Sequence, residues 1–393
     1  MNMKEWQEQF RKELQERIIP FWQGLKDETF GGYYGLLDFD LNLDKRAVKG
    51  CILNSRILWF FSSAAMCLKD ESLLKDAEHA YRFMVEHCVD QELGGVYWSV
   101  NYDGTVCDDT KHTYNQAFAI YALAAYARAT GKQEPIQLAW KIFDIIESKC
   151  RNEGGYLEAY TRDFRPASNE KLSENDVMAT RTMNTLLHVF EGYSGLYQAT
   201  KDARLEARIR EMMDIFVSKI YNYDLHRQEV FFDADYNTLI DLHSYGHDIE
   251  SAWLLDWGCS LLEDKQLNAK VIPIFTEMAQ NVYEKAYHGA GLYNECERGV
   301  DDKKRIWWVQ AETVVGFMNA WQRNPEMKHF LKASQEVWEY IKEKIIDKRE
   351  GSEWYWAVRD DGTPDNTREI VEPWKCPYHN GRMCIEMIRR LEA

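Results

Sequence analysis

The chain has 393 residues, enough for two or three average domains or for one large repetitive or barrel-like domain. Its 48 Lys and Arg residues against 64 Asp and Glu residues give a formal net charge of −16, spread along the chain. This charge excludes a surface built for anionic partners, so we expect no nucleic acid and no membrane partner.

The chain begins with a charged amphipathic segment, MNMKEWQEQFRKELQERIIPFW, that lacks the features of a signal peptide. The most apolar run, at 57–68, is too short to cross a bilayer. Nine scattered cysteines without a CxxC pair are typical of a reduced, intracellular protein, so we expect a cytoplasmic location. Cys376 and Cys384 flank His379, but this spacing matches no common zinc site, and no metal is predicted.

Short aromatic segments with strand-like alternation recur along the chain. They begin at Gly31, Gly94, Gly154, Glu229, Gly291 and Gly351, in steps of 63, 60, 75, 62 and 60 residues. Repeats of this length indicate six structural units, arranged as a closed ring or an open array.

Each unit holds two helical segments of different polarity. Those before the aromatic segments, such as 71–90 and 327–348, have one apolar stripe and one charged face, as outer helices do. Those after them, such as 110–130 and 305–322, carry little charge and must be buried. Six outer and six inner helices predict an all-α (α/α)6 barrel, one domain over 1–393, with short β-hairpin segments on one rim. An open solenoid is the rival, but its capping units are missing from the sequence.

Polar and aromatic residues gather where each inner helix is predicted to begin. In a ring of parallel inner helices these positions face one another, so we expect their side chains to meet in one central pocket. One marker per unit follows the repeat: Arg56, Tyr114, His188, His247, Trp308 and His379. The same stretches contain Asn54, His112, Asn115, Gln116, Asp176, Asn184, His243, Glu250, Trp307, Gln310, Glu312, Trp374, Asn380 and Arg382.

These residues also have structural interpretations. A single histidine on an apolar helix, such as His188, is typically a hydrogen-bonded core residue. Trp308 and Trp374 suit core packing as well as stacking on a sugar. His247 has a stronger functional pattern, because Glu250 lies three residues further on the same helix face and is placed to orient the imidazole.

Aromatic walls edged with amide and charged groups suit a carbohydrate. Glycoside hydrolysis requires two carboxylates, for which Asp176, Glu250 and Glu312 are the candidates. The repeated imidazoles instead favour moving a proton on a carbon beside a carbonyl, because histidine titrates near neutral pH.

Inverting a carbon requires an acid–base group on each face of a planar enediolate, and His247 and His379 are the candidates. Arg56 cannot be buried without a partner, and it is available to hold the enediolate oxygen. His188 is the candidate for opening the sugar ring, which must precede deprotonation at C2.

Several motifs resemble the N-acylglucosamine 2-epimerase superfamily, and within it the members that act on disaccharides. They span essentially the whole chain: GGYYG, CILNSRILWF, TKHTYNQAFAIYAL, LSEN, TMNTLLHVFE, SYGHDIESAWLLD, WWVQAETVVGF and WKCPYHNGRMC. The resemblance implies an (α/α)6 barrel in which His247 and His379 exchange the C2 proton. It implies that His188 opens and closes the sugar ring and that Arg56 holds the open-chain oxygen. The supporting and sugar-contacting positions it implies are Tyr114, Asp176, Asn184, Glu250, Trp308 and Trp374.

The implied reaction interconverts glucose and mannose at the reducing end of a β-1,4-linked disaccharide, without metal or nucleotide cofactor. Cellobiose would give glucosyl-mannose, and lactose would give epilactose. We expect a disaccharide as the partner and a monomer or weak homodimer as the assembly. Four alternatives stay open: an aldose–ketose isomerase, an N-acetylglucosamine or mannose-type epimerase, an α/α-barrel glycoside hydrolase, and a non-catalytic helical scaffold.

Overall fold

The computed structural model describes residues 2–173, 175 and 177–392. The α-helices in chain order are α1 (Met3–Glu13), α2 (Ile19–Gly24), α3 (Cys51–Leu68), α4 (Leu74–Phe83), α5 (Thr113–Thr130), α6 (Glu134–Lys149), α7 (Met183–Thr200), α8 (Ala203–Ile215), α9 (Tyr245–Ser260), α10 (Lys265–Ala286), α11 (Trp307–Arg323), α12 (Lys328–Tyr340) and α13 (His379–Glu392). Four outer helices continue into π-helical turns, at Leu14–Ile18, Met84–Cys88, Phe216–Ile220 and Ile341–Ile345, and a 3-10 turn, Glu71–Leu73, precedes α4.

Burial separates the two kinds of helix that the sequence predicts. In α5 every residue from Thr113 to Ala127 is buried, because its Ala and aromatic side chains leave no charged face. In α12 the buried residues follow the spacing of a one-sided helix: Phe330, Ala333, Ser334, Val337 and Trp338. Among the described residues, α3 is the one helix whose length and composition also suit a membrane span, and 83% of it is buried inside the protein.

The inner helices form a closed ring. Consecutive inner helices pack side by side from α3 to α13, and α13 packs on both α3 and α1. Glycine permits the closest approaches: a Cβ at Gly192 of α7 would lie 2.6 Å from the carbonyl oxygen of Ala117 in α5. The closed ring confirms the predicted (α/α)6 barrel over the open solenoid.

Short strands connect each outer helix to the next inner helix. They are β1 (Lys49–Gly50), β2 (Ser99–Val100), β3 (Val106–Asp108), β4 (Lys111–His112), β5 (Arg151–Asn152), β6 (Gly155–Tyr156), β7 (Ala159–Tyr160), β8 (Arg181–Thr182), β9 (Tyr221–Asn222), β10 (Arg227–Gln228), β11 (Phe231–Phe232), β12 (Leu242–Ser244), β13 (Glu295–Glu297), β14 (Val300–Asp302), β15 (Arg305–Ile306) and β16 (Ala357–Val358).

The strands pair around the ring in a repeating pattern. The strand before an inner helix pairs antiparallel with a strand of the following unit, as β1 with β2, β4 with β7, β8 with β11, β12 with β13 and β15 with β16. A bridge between Leu37 and Val371 joins the last unit to the first. All these strands lie on the rim where the inner helices begin, so the polar residues at the helix starts share that rim.

Buried basic residues anchor this rim. Lys49 lies two residues before α3 and donates to Asp27 Oδ2 over 2.7 Å, and Lys111 before α5 donates to Asp90 Oδ2 over 2.9 Å. Both ion pairs are fully buried, where loss of one partner leaves an uncompensated charge. These pairs hold each hairpin against the start of its inner helix.

Candidate active site

A cavity of about 350 Å³ opens at the strand rim, along the axis of the ring. Nine predicted site residues line it: Arg56, Tyr114, Asn184, His188, His247, Glu250, Trp308, Trp374 and His379. The tenth, Asp176, lies outside the described residues. Nine of the ten predicted site residues thus share one cavity, and the roles expected of them stay predictions.

His379, the first residue of α13, is buried against a carboxylate of the neighbouring inner helix. Its Nδ1 lies 2.7 Å from Oε1 of Glu312 in α11 and 3.9 Å from Oε1 of Glu250 in α9. Burial lowers the pKa of His379 well below 6.5, although Glu250 opposes the shift. Because Nδ1 is held by Glu312, Nε2 is the nitrogen left for a ligand.

His188 of α7 is held in the same way by a carboxylate on its own helix. Its Nδ1 lies 2.8 Å from Oε2 of Glu191, and both residues are buried. Burial alone would raise the pKa of Glu191, but Arg382, together with His188 and Tyr378, lowers it to about 2. Glu191 is therefore ionised and accepts a hydrogen bond from Nδ1 of His188, which again leaves Nε2 for a ligand.

His247 in the first turn of α9 has a neutral partner. Its Nδ1 lies 2.7 Å from the Ser244 hydroxyl, and burial lowers the pKa of His247 to about 4. The prediction that Glu250 orients this imidazole is wrong, because Oε1 of Glu250 accepts a hydrogen bond from the Arg382 guanidinium. A fixed positive charge attracts the carboxylate more strongly than a neutral imidazole on the same face.

The arrangement of Glu250, Glu312 and His379 is compatible in spacing with a metal ion, since one ligand atom from each lies within 4.8 Å of the others. The Nη2 group of Arg382 donates to Oε1 of both glutamates, over 2.6 Å in the case of Glu312. The guanidinium thus supplies the positive charge that these carboxylates require.

Arg56 lies on α3 and lines the cavity. In the order of inner helices around the ring, α3 is opposite α9, the helix that carries Glu250. Its Nη2 donates to the Tyr114 hydroxyl over 2.8 Å, and its guanidinium lies 4.2 Å from the centre of the Phe118 ring. Burial would lower the pKa of Arg56, but the facing Tyr114 and Tyr378 side chains contribute to raising it. A charged donor is therefore held at the cavity wall, and among the described residues no carboxylate forms an ion pair with it.

Aromatic rings connect the three histidines. The Trp308 ring lies 4.9 Å from the His247 ring and 5.4 Å from the His379 ring, so it contacts both imidazoles. On the other side, the Tyr114 ring lies 5.0 Å from the His188 ring and 6.1 Å from the Trp374 ring. Such surfaces suit the faces of a sugar.

Several residues that line the cavity have a buried polar atom without a hydrogen-bond partner. Within the part of the chain that the structure describes, these atoms include Nε of Arg56, Oδ1 of Asn184, Nε1 of Trp307 and Nε of Arg368. Buried polar atoms are normally paired, so these atoms fit a site completed by a ligand.

Sequence reasoning missed several lining residues, namely Lys171, Leu172, Ser244, Asn294, Glu295, Ile306, Trp356 and Arg368. Trp307 lay in a predicted cluster but was not chosen as a site residue. Ser244 directly follows His243 in the chain, and that adjacency was the signal. The others belong mostly to loops and hairpins of the rim, where helical periodicity cannot predict which side chains face the cavity.

Other residues in the predicted clusters have structural roles. Gln116 and Gln310 each clamp a hairpin backbone, accepting from the amides of Val96 and Leu292 over 2.7 Å. Asn54 accepts in the same way from the Tyr33 amide. His243 lies with Nε2 2.8 Å from the buried Asp248 carboxylate. The fourth residue of α3, α5 and α11 therefore anchors the rim and does not line the cavity.

Comparison with known proteins places this site in a family. A family profile described as N-acylglucosamine 2-epimerase (GlcNAc 2-epimerase) matches residues 32–380. A cellobiose 2-epimerase from Eubacterium cellulosolvens is 49% identical, over 96% of this chain and 97% of that protein.

Solved structures agree with the sequence comparison. A sugar epimerase from a ruminal bacterium superposes with a TM-score of 0.96 at 47% identity, covering 99% of both chains. A cellobiose 2-epimerase from Bacillus thermoamylovorans gives a TM-score of 0.95 at 44% identity, covering 98% of this chain and 100% of that one. With the closed ring of helices and three histidines on one cavity, these matches establish that the chain belongs to the N-acylglucosamine 2-epimerase family.

Proposed function

We propose that this protein epimerises C2 of the reducing-end glucose in β-1,4-linked disaccharides, converting cellobiose to glucosyl-mannose and lactose to epilactose. One observation carries the proposal: three imidazoles and an arginine line a single cavity, and all three imidazoles are held through Nδ1. This leaves three Nε2 atoms and the Arg56 guanidinium for the reacting sugar. The full-length cellobiose 2-epimerase relatives support the disaccharide as substrate.

Ring opening is the first step, and we assign it to His188. The ionised Glu191 accepts from Nδ1 of His188, so the bare Nε2 is competent to take the proton of the C1 hydroxyl. The C1–O5 bond then breaks as the His188 imidazolium gives that proton to O5, and the aldehyde that forms makes the proton on C2 acidic.

Proton exchange at C2 is assigned to His247 and His379, which come from α9 and α13 and both contact Trp308. Burial lowers the pKa of both imidazoles, so each is neutral at pH 7 and competent to accept a proton from carbon. One imidazole takes the C2 proton from one face and releases it to solvent, and the other takes up a solvent proton and delivers it to the opposite face of the enediolate, which inverts C2. The enediolate oxygen would be stabilised by Arg56, which forms no ion pair with a carboxylate among the residues that the structure describes.

The second sugar is expected to extend toward the strand rim. Lys171, Asn294 and Trp356 line the cavity there, and the Arg368 guanidinium stacks 3.8 Å from the centre of the Trp356 ring. An aromatic face with adjacent polar groups is what a second pyranose requires. The proposal also includes a cytoplasmic monomer or weak homodimer that needs neither metal nor nucleotide cofactor.

Proton NMR of the protein with cellobiose in D2O, with EDTA present, tests the function. We expect deuterium at C2 together with a mannose-type reducing end. Release of free glucose would instead indicate a glycoside hydrolase, a ketose product would indicate an isomerase, and turnover only of an unsubstituted monosaccharide would indicate a monosaccharide epimerase. Any of these as the main product would overturn the proposal.

A further inference from the structure

Arg382 of α13 joins three other inner helices at the floor of the site. It is 1% exposed. Its Nη1 donates to Oε1 of Glu191 in α7 over 2.7 Å, and its Nη2 donates to Oε1 of Glu312 in α11 over 2.6 Å and to Glu250 in α9. Only the planar fork of an arginine reaches several carboxylates in fixed directions at once.

Two of these carboxylates hold the histidines to which the proposed reaction assigns different steps. Glu191 contacts Nδ1 of His188, and Glu312 contacts Nδ1 of His379. A single guanidinium therefore connects the ring-opening histidine to a histidine that acts on C2, each through one glutamate.

The charge balance makes this connection necessary. Three buried carboxylates surround one guanidinium, and without it they would repel one another in a site with little water. The Tyr378 hydroxyl lies 2.6 Å from both oxygens of Glu191 and also contacts Arg382, which strengthens the Glu191 branch.

We propose that Arg382 is a positioning residue that orients His188 and His379 together, through Glu191 and Glu312, and so couples ring opening to proton exchange at C2. This inference rests on the proposed function. Arg382 itself does not touch the sugar in this scheme, because the two glutamates and Tyr378 separate it from the histidines.

Two assays on the same protein separate the two steps. Catalysed mutarotation of cellobiose, measured above the spontaneous rate, reports ring opening, and deuterium incorporation reports exchange at C2. We expect Arg382→Lys to lower kcat of both by about 100-fold with little change in KM, since a mispositioned acid–base group loses at least the lower part of its usual contribution.

Matched variants test each branch alone. Tyr378→Phe removes a hydroxyl that donates to Glu191 and is expected to slow mutarotation more than exchange. Glu312→Gln removes the carboxylate beside His379 and is expected to slow exchange while leaving mutarotation within about threefold, the size of a modest hydrogen-bond effect. An Arg382→Lys protein that loses only one of the two activities would overturn the coupling.

Chemical rescue distinguishes positioning from a general role in folding. A second cavity of about 50 Å³ at the opposite rim reaches Arg382 between Trp59, Tyr121 and Trp253. In Arg382→Ala, guanidinium below denaturing concentrations should restore both activities, whereas methylammonium should not. A variant that is folded by circular dichroism and active without guanidinium would refute the proposal. Absence of C2 deuterium with the unaltered protein would instead refute the proposed function.

Discussion

The two histidines assigned to C2 are supported differently. His379 rests on Glu312, a buried carboxylate that also accepts from Arg382, and His247 rests on Ser244, a hydroxyl that either donates or accepts. The carboxylate favours one tautomer of His379, whereas the hydroxyl rotates to suit either tautomer of His247. One side of the cavity is therefore preset, because the tautomer of His379 is fixed by its partner. The other side is adaptable, because His247 keeps its hydrogen bond in either tautomer, although both imidazoles lie at the starts of inner helices.

Removing either imidazole is expected to have the largest effect on activity, because inversion of C2 requires an acid–base group on each face. His379→Ala and His247→Ala should each lower the rate of C2 deuterium exchange by about 1,000-fold or more, the contribution of a positioned acid–base group. Circular dichroism of each variant should match the parent. Substantial epimerisation by either folded variant would be incompatible with a two-base mechanism.

Replacing the carboxylate on the preset side should have the next largest effect. Glu312→Gln keeps the shape but removes the charge that Nδ1 of His379 and the Arg382 guanidinium share. We expect kcat for exchange to fall by about 100-fold with KM little changed, since a misoriented or wrong tautomer is a poor base. A change confined to KM would place Glu312 in substrate binding instead.

The pH dependence of kcat/KM tests the environment of His247, the imidazole on the adaptable side. Burial lowers the pKa of His247 to about 4, so its imidazole is neutral, and able to accept a proton, at every pH above that value. We expect kcat/KM to stay level from pH 8 to about 5 and to fall below it as His247 becomes protonated. An acid limb centred near pH 6.5 would show that the imidazole is hydrated.

The smallest effect is expected from the hydroxyl. Ser244→Ala removes one neutral hydrogen bond from His247, worth about 1 kcal/mol, so kcat should fall by less than about tenfold. The measurement is the same deuterium exchange, run beside Glu312→Gln. Equal losses in the two variants would remove the distinction between a preset and an adaptable side.

Some polar residues at the rim anchor the structure and do not line the cavity, and the sequence pattern did not distinguish the two groups. Gln116, Gln310 and His243 sit beside predicted site positions and have the same residue types as a sugar site. The structure turns each toward a hairpin backbone or a buried carboxylate. Residue type and repeat position were therefore insufficient to separate anchors from lining residues, because neighbouring positions on a helix face different directions.

The sequence alone determined the architecture and the main site. Its spacing of aromatic segments, one-sided outer helices and uncharged inner helices predicts the ring, because burial follows helical periodicity. The sequence also allowed four cavity residues to be selected, because polar groups on otherwise apolar helices require a partner or a ligand. They are Arg56, His188, His247 and His379.

Only the tertiary structure decided how these groups are held. Glu250 lies one turn from His247, yet it binds Arg382, which is 132 residues away in the chain. Glu191 and Arg382, separated by 191 residues, meet because the ring brings α7 and α13 across the axis. Side-chain partners of this kind depend on closure of the ring and on competition among buried charges, and neither is encoded in local spacing.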